Sequence, residues 1–142
     1  MRLLQRNDAG GFSFTKDLFG DVTIPPYAIL SHTWVDGQEV TLKDVEDDTG
    51  RDKSGYDKLR FCAAQAKRDG LRYFWVDNCC IDKSNDAEVS REINAMFHRY
   101  RNASRCYVYL SDVSYPSSGT HDDDSAGLWE SEFRRCRWIG RG

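Results

Sequence analysis

Apolar positions along this chain alternate in some stretches, bunch in others and fall into helical stripes elsewhere. Leu3 and Leu4 precede the turn cluster Asn7-Asp8-Ala9-Gly10-Gly11, after which Phe12 and Phe14 alternate with Ser13 and Thr15. Two glycines free to take positive φ between such segments predict a β-hairpin. Pro25-Pro26 then forces extended backbone. The run Tyr27-Ala28-Ile29-Leu30-Ser31-His32, short and bounded by turn formers, predicts a strand buried on both faces. Ser54 is a good N-cap for a helix with apolar positions at Tyr56, Leu59, Cys62, Ala63 and Ala66, stopped by Gly70. Residues 71–77 (LRYFWVD) predict a second buried strand. Asn85 with Glu88 three residues on predicts a capping box. It opens a helix with Val89, Ile93, Met96, Phe97 and Tyr100 on one stripe, the clearest amphipathic signal in the chain. Residues 105–111 (RCYVYLS) predict a third strand. Residues 112–128 are polar, with three consecutive aspartates, and predict a long surface loop. Trp129, Phe133 and Cys136 then predict a short helix, which so near the last residue reads as a chain cut from something longer.

Strand, helix, strand, helix, strand predicts a three-layer α/β domain. A mostly parallel, flavodoxin-like sheet is flanked by helices and extended by the N-terminal hairpin. A length of 142 residues with no linker or repeat predicts a single domain over 1–142. Composition adds exclusions. Four Trp, seven Tyr and seven Phe within a 39% hydrophobic chain rule out disorder. A net charge of −3 leaves no electrostatic footprint for nucleic acid. No apolar run is long enough to predict a membrane span, and no signal-peptide core can be drawn. Five cysteines without an export signal predict reduced thiols and a cytoplasmic location. They form no C-x-x-C pair, so no metal is expected.

In open parallel sheets, ligands bind beyond the carboxyl ends of the strands. That rule selects Ser31, His32, Thr33, Trp34 and Asp36 after the first strand, Asp77, Asn78, Cys79, Cys80 and Asp82 after the second, and Ser111 and Asp112 after the third. From these, Ser31, His32, Trp34, Asp77, Cys80, Asp82 and Ser111 are the nucleotide-binding candidates. Each has a structural alternative. Ser31 and Thr33 could serve only to turn the backbone, and His32 could pack under the Trp34 indole. Asp77 either holds a ribose hydroxyl pair or caps its own loop. Cys79 and Cys80 would need a base or a helix N-terminus to become thiolates, and buried thiols are commonly small hydrophobes. Glu92, off the apolar stripe of its helix, is expected to be solvated or ion-paired. The aspartates at 122–124 lack EF-hand spacing and read as a solvated loop. No glycine-rich phosphate loop is present, and no mechanism follows from these residues alone.

Longer segments carry a resemblance. Tyr27-Ala28-Ile29-Leu30-Ser31-His32-Thr33-Trp34 and Phe74-Trp75-Val76-Asp77-Asn78-Cys79-Cys80-Ile81-Asp82-Lys83 resemble the first two signature blocks of the fungal heterokaryon-incompatibility (HET) domain. Residues 55–62 (GYDKLRFC), 100–111 (YRNASRCYVYLS) and the opening Met1-Arg2-Leu3-Leu4 are similar to that family too. The likeness spans essentially the whole chain and is strongest to HET domains that lead fungal NOD-like receptors. The family's third block begins Arg-Gly and continues Trp-Thr-Leu-Gln-Glu. Arg141-Gly142 match its opening pair, so the chain resembles a HET domain cut before that block.

The resemblance implies an effector or signalling domain in fungal incompatibility, innate immunity and programmed cell death. Such a domain acts through oligomerisation-driven assembly, by self-association or with other death-domain proteins. HET domains also resemble TIR domains, many of which hydrolyse NAD. This implies an alternative, a TIR-like NAD(P)-hydrolysing or nucleotide-binding enzyme with NAD as substrate and no resident cofactor. Its catalytic glutamate would lie beyond Gly142, since neither Glu130 nor Glu132 stands four residues after a tryptophan. Cleaving the glycosidic bond develops oxocarbenium charge that an opposed carboxylate stabilises. Without it the pocket is expected to bind a nucleotide and turn it over poorly.

Overall fold

The computed structural model describes residues 1–18, 23–113, 131 and 133–140. The expected turn at 7–11 closes as anticipated. Asn7 Oδ1 accepts the Gly11 N–H at 2.9 Å, Gly10 takes φ +81°, and β1 (Leu4–Arg6) pairs antiparallel with β2 (Phe12–Phe14). Three more strands complete one sheet: β3 (Tyr27–His32), β4 (Tyr73–Trp75) and β5 (Arg105–Tyr109). Their order is β2-β1-β4-β3-β5. β3 runs parallel to both β4 and β5, and the hairpin adds antiparallel through Leu4 opposite Phe74. The sheet is therefore mixed, with a parallel centre and an antiparallel pair at one side.

Helices cover both faces. α2 (Ser54–Arg68) lies on the face carrying Leu4, Phe12, Ala28, Leu30 and Phe74. Phe12 meets Tyr56 at 5.4 Å and Phe74 at 5.8 Å between ring centroids, while Phe61 meets Tyr109 at 5.2 Å. Edge-on geometry of this kind suits the aromatic quadrupoles, and burial of Phe74, Trp75 or Leu59 stabilises the fold by about 2–3 kcal/mol each. α4 (Asp86–Asn102) lies across the other face, where the Tyr27 hydroxyl donates to Arg99 O at 2.6 Å and Tyr100 to Leu30 O at 3.5 Å.

The short helices α1 (Leu42–Glu46), α3 (Asp77–Cys80) and α5 (Arg137–Gly140) lie outside this frame. α1 had no counterpart in the hydropathy pattern, because none of its residues is buried. α3 shortens the second strand, since the chain turns helical at Asp77, and the third strand ends at Tyr109 rather than at 111. α2 starts one residue early, with Lys53 as N-cap and no side-chain cap bond, so Ser54 does not cap it. The 112–128 loop beyond Val113, Asp122 to Asp124 and Trp129 lie outside the described residues.

α4 departs most from expectation. Asn85 does cap the Glu88 N–H, yet Glu88 does not reach back to complete a capping box. Its carboxylate takes both Arg2 nitrogens, at 2.6 and 3.0 Å, and the Asp82 N–H at 3.0 Å. Glu92 is buried and held bidentate by Arg99, so it is ion-paired but not solvated. The Arg2–Glu88 fork ties α4 to the domain body, while the Glu92–Arg99 fork lies within the helix itself, and both glutamates are turned inward. The apolar stripe is consequently split: Val89 and Met96 pack half-buried against the core, Tyr100 is at 38% exposure, and Ile93 and Phe97 stand outward at 62 and 70%. A residue advances about 100° around a helix, so burying Glu92 carries Ile93 off the contact face.

Candidate functional site

Because β3, β4 and β5 are mutually parallel, their carboxyl ends share one edge of the sheet. Three of the expected side chains meet there directly. His32 Nε2 lies 3.1 Å from Asp77 Oδ1, and the Trp34 indole N–H donates to Asp77 Oδ2 at 3.1 Å. His32 Nδ1 faces the Lys58 ammonium at 3.3 Å. An ammonium can only donate, so Nδ1 accepts and Nε2 carries the proton given to Asp77. The first turn of α3 adds the Asn78 N–H to Asp77 Oδ1 at 2.8 Å. Asp77 thus both caps its own backbone and holds the neighbouring rings, which joins the two readings of it.

Behind these lies a buried polar layer that the hydropathy pattern did not reveal. Lys58, at 2% exposure, donates to Thr33 O at 2.9 Å and pairs closely with Glu39. Glu39 also accepts from Val35 N at 2.8 Å and Asn78 Nδ2 at 3.0 Å, and Lys83 donates to Asn78 Oδ1 at 2.6 Å. A signal for Lys58 was present. It falls in the helical row Gly55, Lys58, Cys62, Ala66, otherwise small and apolar, where an unpaired lysine would be strongly destabilising. Glu39, Asn78 and Lys83 sit in loops or on a single helical turn and had no periodic signature.

His32 and Asp77 have their ring nitrogens and carboxylate oxygens engaged within this network, so they act here as positioning groups. What they position is Trp34. Its indole stands 52% exposed with the Lys83 ammonium 4.1 Å from its ring centroid, a cation–π contact. Trp34, Asp77 and Lys83 form one side of a cleft of about 340 Å³ whose other wall is Val89, Ile93 and Met96 of α4. A second cleft, of about 510 Å³, opens beyond Lys83 toward α1 and is lined by Asp82 and Ser84. Asp82 accepts the Ser84 hydroxyl at 2.6 Å and N–H at 3.0 Å, which hold its carboxyl below the usual range.

The remaining candidates lie apart from this cluster. Ser31 is on the opposite sheet face from His32, where its hydroxyl accepts the Trp138 indole N–H at 3.0 Å. Ser111 is exposed beyond β5, with no side-chain partner among the described residues. Cys80 is in the core, its sulfur taking the Val76 N–H at 3.4 Å. Burial pushes its thiol up to about 12 and raises Cys79 well above the usual thiol range too, so neither is a thiolate at neutral pH. Among the described residues, no group of three His, Cys, Asp or Glu side chains could hold a metal ion, and no helix is long and apolar enough to cross a membrane.

The family described as "Heterokaryon incompatibility protein (HET)" matches residues 27–138, a span that includes every strand of the parallel centre. Vegetative incompatibility protein HET-E-1 of Podospora anserina is 54% identical over 143 residues, covering all of this chain. The chain spans about a tenth of that relative's length. No solved structure matches it. A family match over most of the chain and this identity along all of it agree, and the chain belongs to the HET family of heterokaryon incompatibility proteins.

Proposed function

We propose that this domain is the signalling module of fungal incompatibility and programmed cell death, switched on when several copies are brought together. Membership of the HET family gives the chain its role in heterokaryon incompatibility. The observation that carries the assembly step is the exposure of Ile93 and Phe97 on α4, at 62 and 70%, with Tyr100 beside them. Large apolar side chains contiguous on one exposed helix face are the mark of an interaction surface. Fusing the chain to an inducible oligomerisation tag in fungal cells tests this. Loss of viability on adding the inducer is expected, and unchanged growth of well-expressing cells would refute it.

A second reading is a TIR-like nucleotide site that binds or hydrolyses NAD(P). What favours it is the Trp34–Asp77–His32 constellation beside a cleft at the carboxyl edge of parallel strands. An exposed indole beside an apolar wall suits a flat heterocycle, and Lys83 suits a phosphate. Incubating NAD with this chain, and with a longer chain carrying the family's third block after Gly142, separates binding from turnover. Free nicotinamide from the longer chain alone is the expected result. No nicotinamide from a folded, concentrated longer chain would end the enzyme reading.

A further inference from the structure

The outward row of α4 is Asp86, Ser90, Ile93, Phe97 and Arg101, with Tyr100 beside it. Its arrangement has a symmetry. Asp86 and Arg101 are equidistant from a midpoint between Ile93 and Asn94, and Ser90 and Phe97 share that same midpoint. Two copies of the helix laid antiparallel about a two-fold axis there satisfy both relations at once. Each Phe97 ring then meets the partner's Ser90 and Ile93, where the small serine leaves room. Asp86 at each end meets the partner's Arg101, the two ends being about 22 Å apart along the helix. Asp86 and Arg101 are both exposed and have no ion-pair partner among the described residues. Antiparallel packing also sets the two helix dipoles head to tail.

Resting on the assembly reading above, we infer that the partner of the α4 face is a second copy of this chain, joined by an isologous, antiparallel α4–α4 contact. Self-complementary charge and shape about one midpoint is what a two-fold interface requires. The contact is small. Ile93, Phe97 and Tyr100 together offer on the order of 300 Å² of apolar side chain per copy, well below the roughly 800 Å² per partner of a stable complex. It therefore forms weakly in free solution and strongly when tethering raises the local concentration to about the millimolar range. A domain with this surface responds to clustering of whatever carries it.

Sedimentation velocity on the 142-residue chain from about 10 μM to about 1 mM tests the contact. A monomer that shifts to dimer across this range is expected, and Phe97→Ser should weaken association about tenfold or more. D86R and R101D should each weaken it severalfold. An equimolar mixture of those two variants should associate better than either alone, because opposite charges then meet at both ends of the pair. Far-UV circular dichroism on each variant confirms that the helix persists, and D86N separates charge repulsion from loss of the helix-terminal carboxylate. Association unchanged by F97S, or a mixture no better than its components, overturns the α4 contact while leaving assembly through another surface standing. A chain that stays monomeric to about 1 mM overturns the contact as well, and the inducer experiment then judges the assembly reading separately.

Discussion

Lys58 brings a lysine ammonium into the interior, where an unpaired charge would be strongly destabilising, and Glu39, Thr33 O and His32 hold it there. Replacing Lys58 with Met removes the ammonium and leaves Glu39 without its counter-ion. The K58M variant should lose about 3 kcal/mol in urea unfolding, because breaking one side of a buried pair uncovers the other charge. Adding E39Q should recover part of that loss, with a coupling of about 1 kcal/mol or more between the two positions. Asp44 makes a second test at this scale. Burial opposes its ionisation, yet hydrogen bonds from Lys53 and Thr41 outweigh that and hold its carboxyl at about 2. A folded value below the unfolded one means the stabilisation is complete above about pH 4 and disappears as pH falls through about 2. Urea midpoints measured from pH 5 to 2 should therefore fall more steeply for the native chain than for D44N.

The first turn of α2 shows how one element is fixed against the polypeptide before it. Gly55 N donates to Gln38 O at 2.9 Å, and a Cβ at Gly55 would stand 2.5 Å from that oxygen and 2.9 Å from Glu39 Cα. Both obstacles are backbone, so they cannot swing aside. Helix propensity alone would favour Ala over Gly by roughly 1 kcal/mol, but the overlap displaces the loop carrying Glu39. G55A should destabilise by about 2 kcal/mol, read from the thermal midpoint. Both long helices and the hairpin were legible in the sequence because burial on one side imposes a period. The 27–32 strand was found to the residue, its apolar run being closed off by prolines before and polar side chains after. α1 and α3 escaped notice because five-residue and four-residue helices complete too little periodicity to register. The orientation of α4 escaped for a different reason. The stripe is plain in the sequence, whereas the contact that turns Glu88 inward comes from Arg2, 86 residues away.

At the scale of the whole molecule, three layers close around the sheet and bury Cys62, Cys79, Cys80 and Cys136, leaving Cys106 on the edge strand exposed. Ellman's reagent should accordingly titrate one thiol quickly in the native chain and five in denaturant. Reaction of two or more at the fast rate would contradict the packing. The same closure sets the character of the rim. Parallel pairing on either side of β3 gathers the carboxyl ends of β4, β3 and β5 at one edge. Side-chain alternation then divides what gathers there. His32 and Asp77 meet on the α2 side, whereas Ser31 faces α4 and Trp138. Of the side chains expected at this edge, His32, Trp34 and Asp77 form the constellation, Asp82 lines the neighbouring cleft, and Cys80 belongs to the core.

By itself the sequence determined the class of the fold, the family and the edge of the sheet where polar side chains collect. The fold class and the edge depend on period, turn chemistry and the one-way direction of parallel strands, all of them local or nearly so. The family rests on the resemblance of residues 27–34 and 74–83 to its signature blocks. Only the tertiary structure decided that Lys58 and Glu39 underpin the Trp34–Asp77 contact, and that Ile93 and Phe97 of the α4 stripe are offered outward. Ion pairs between residues far apart in the chain settle both matters, because a buried charge must find its partner wherever the fold brings one.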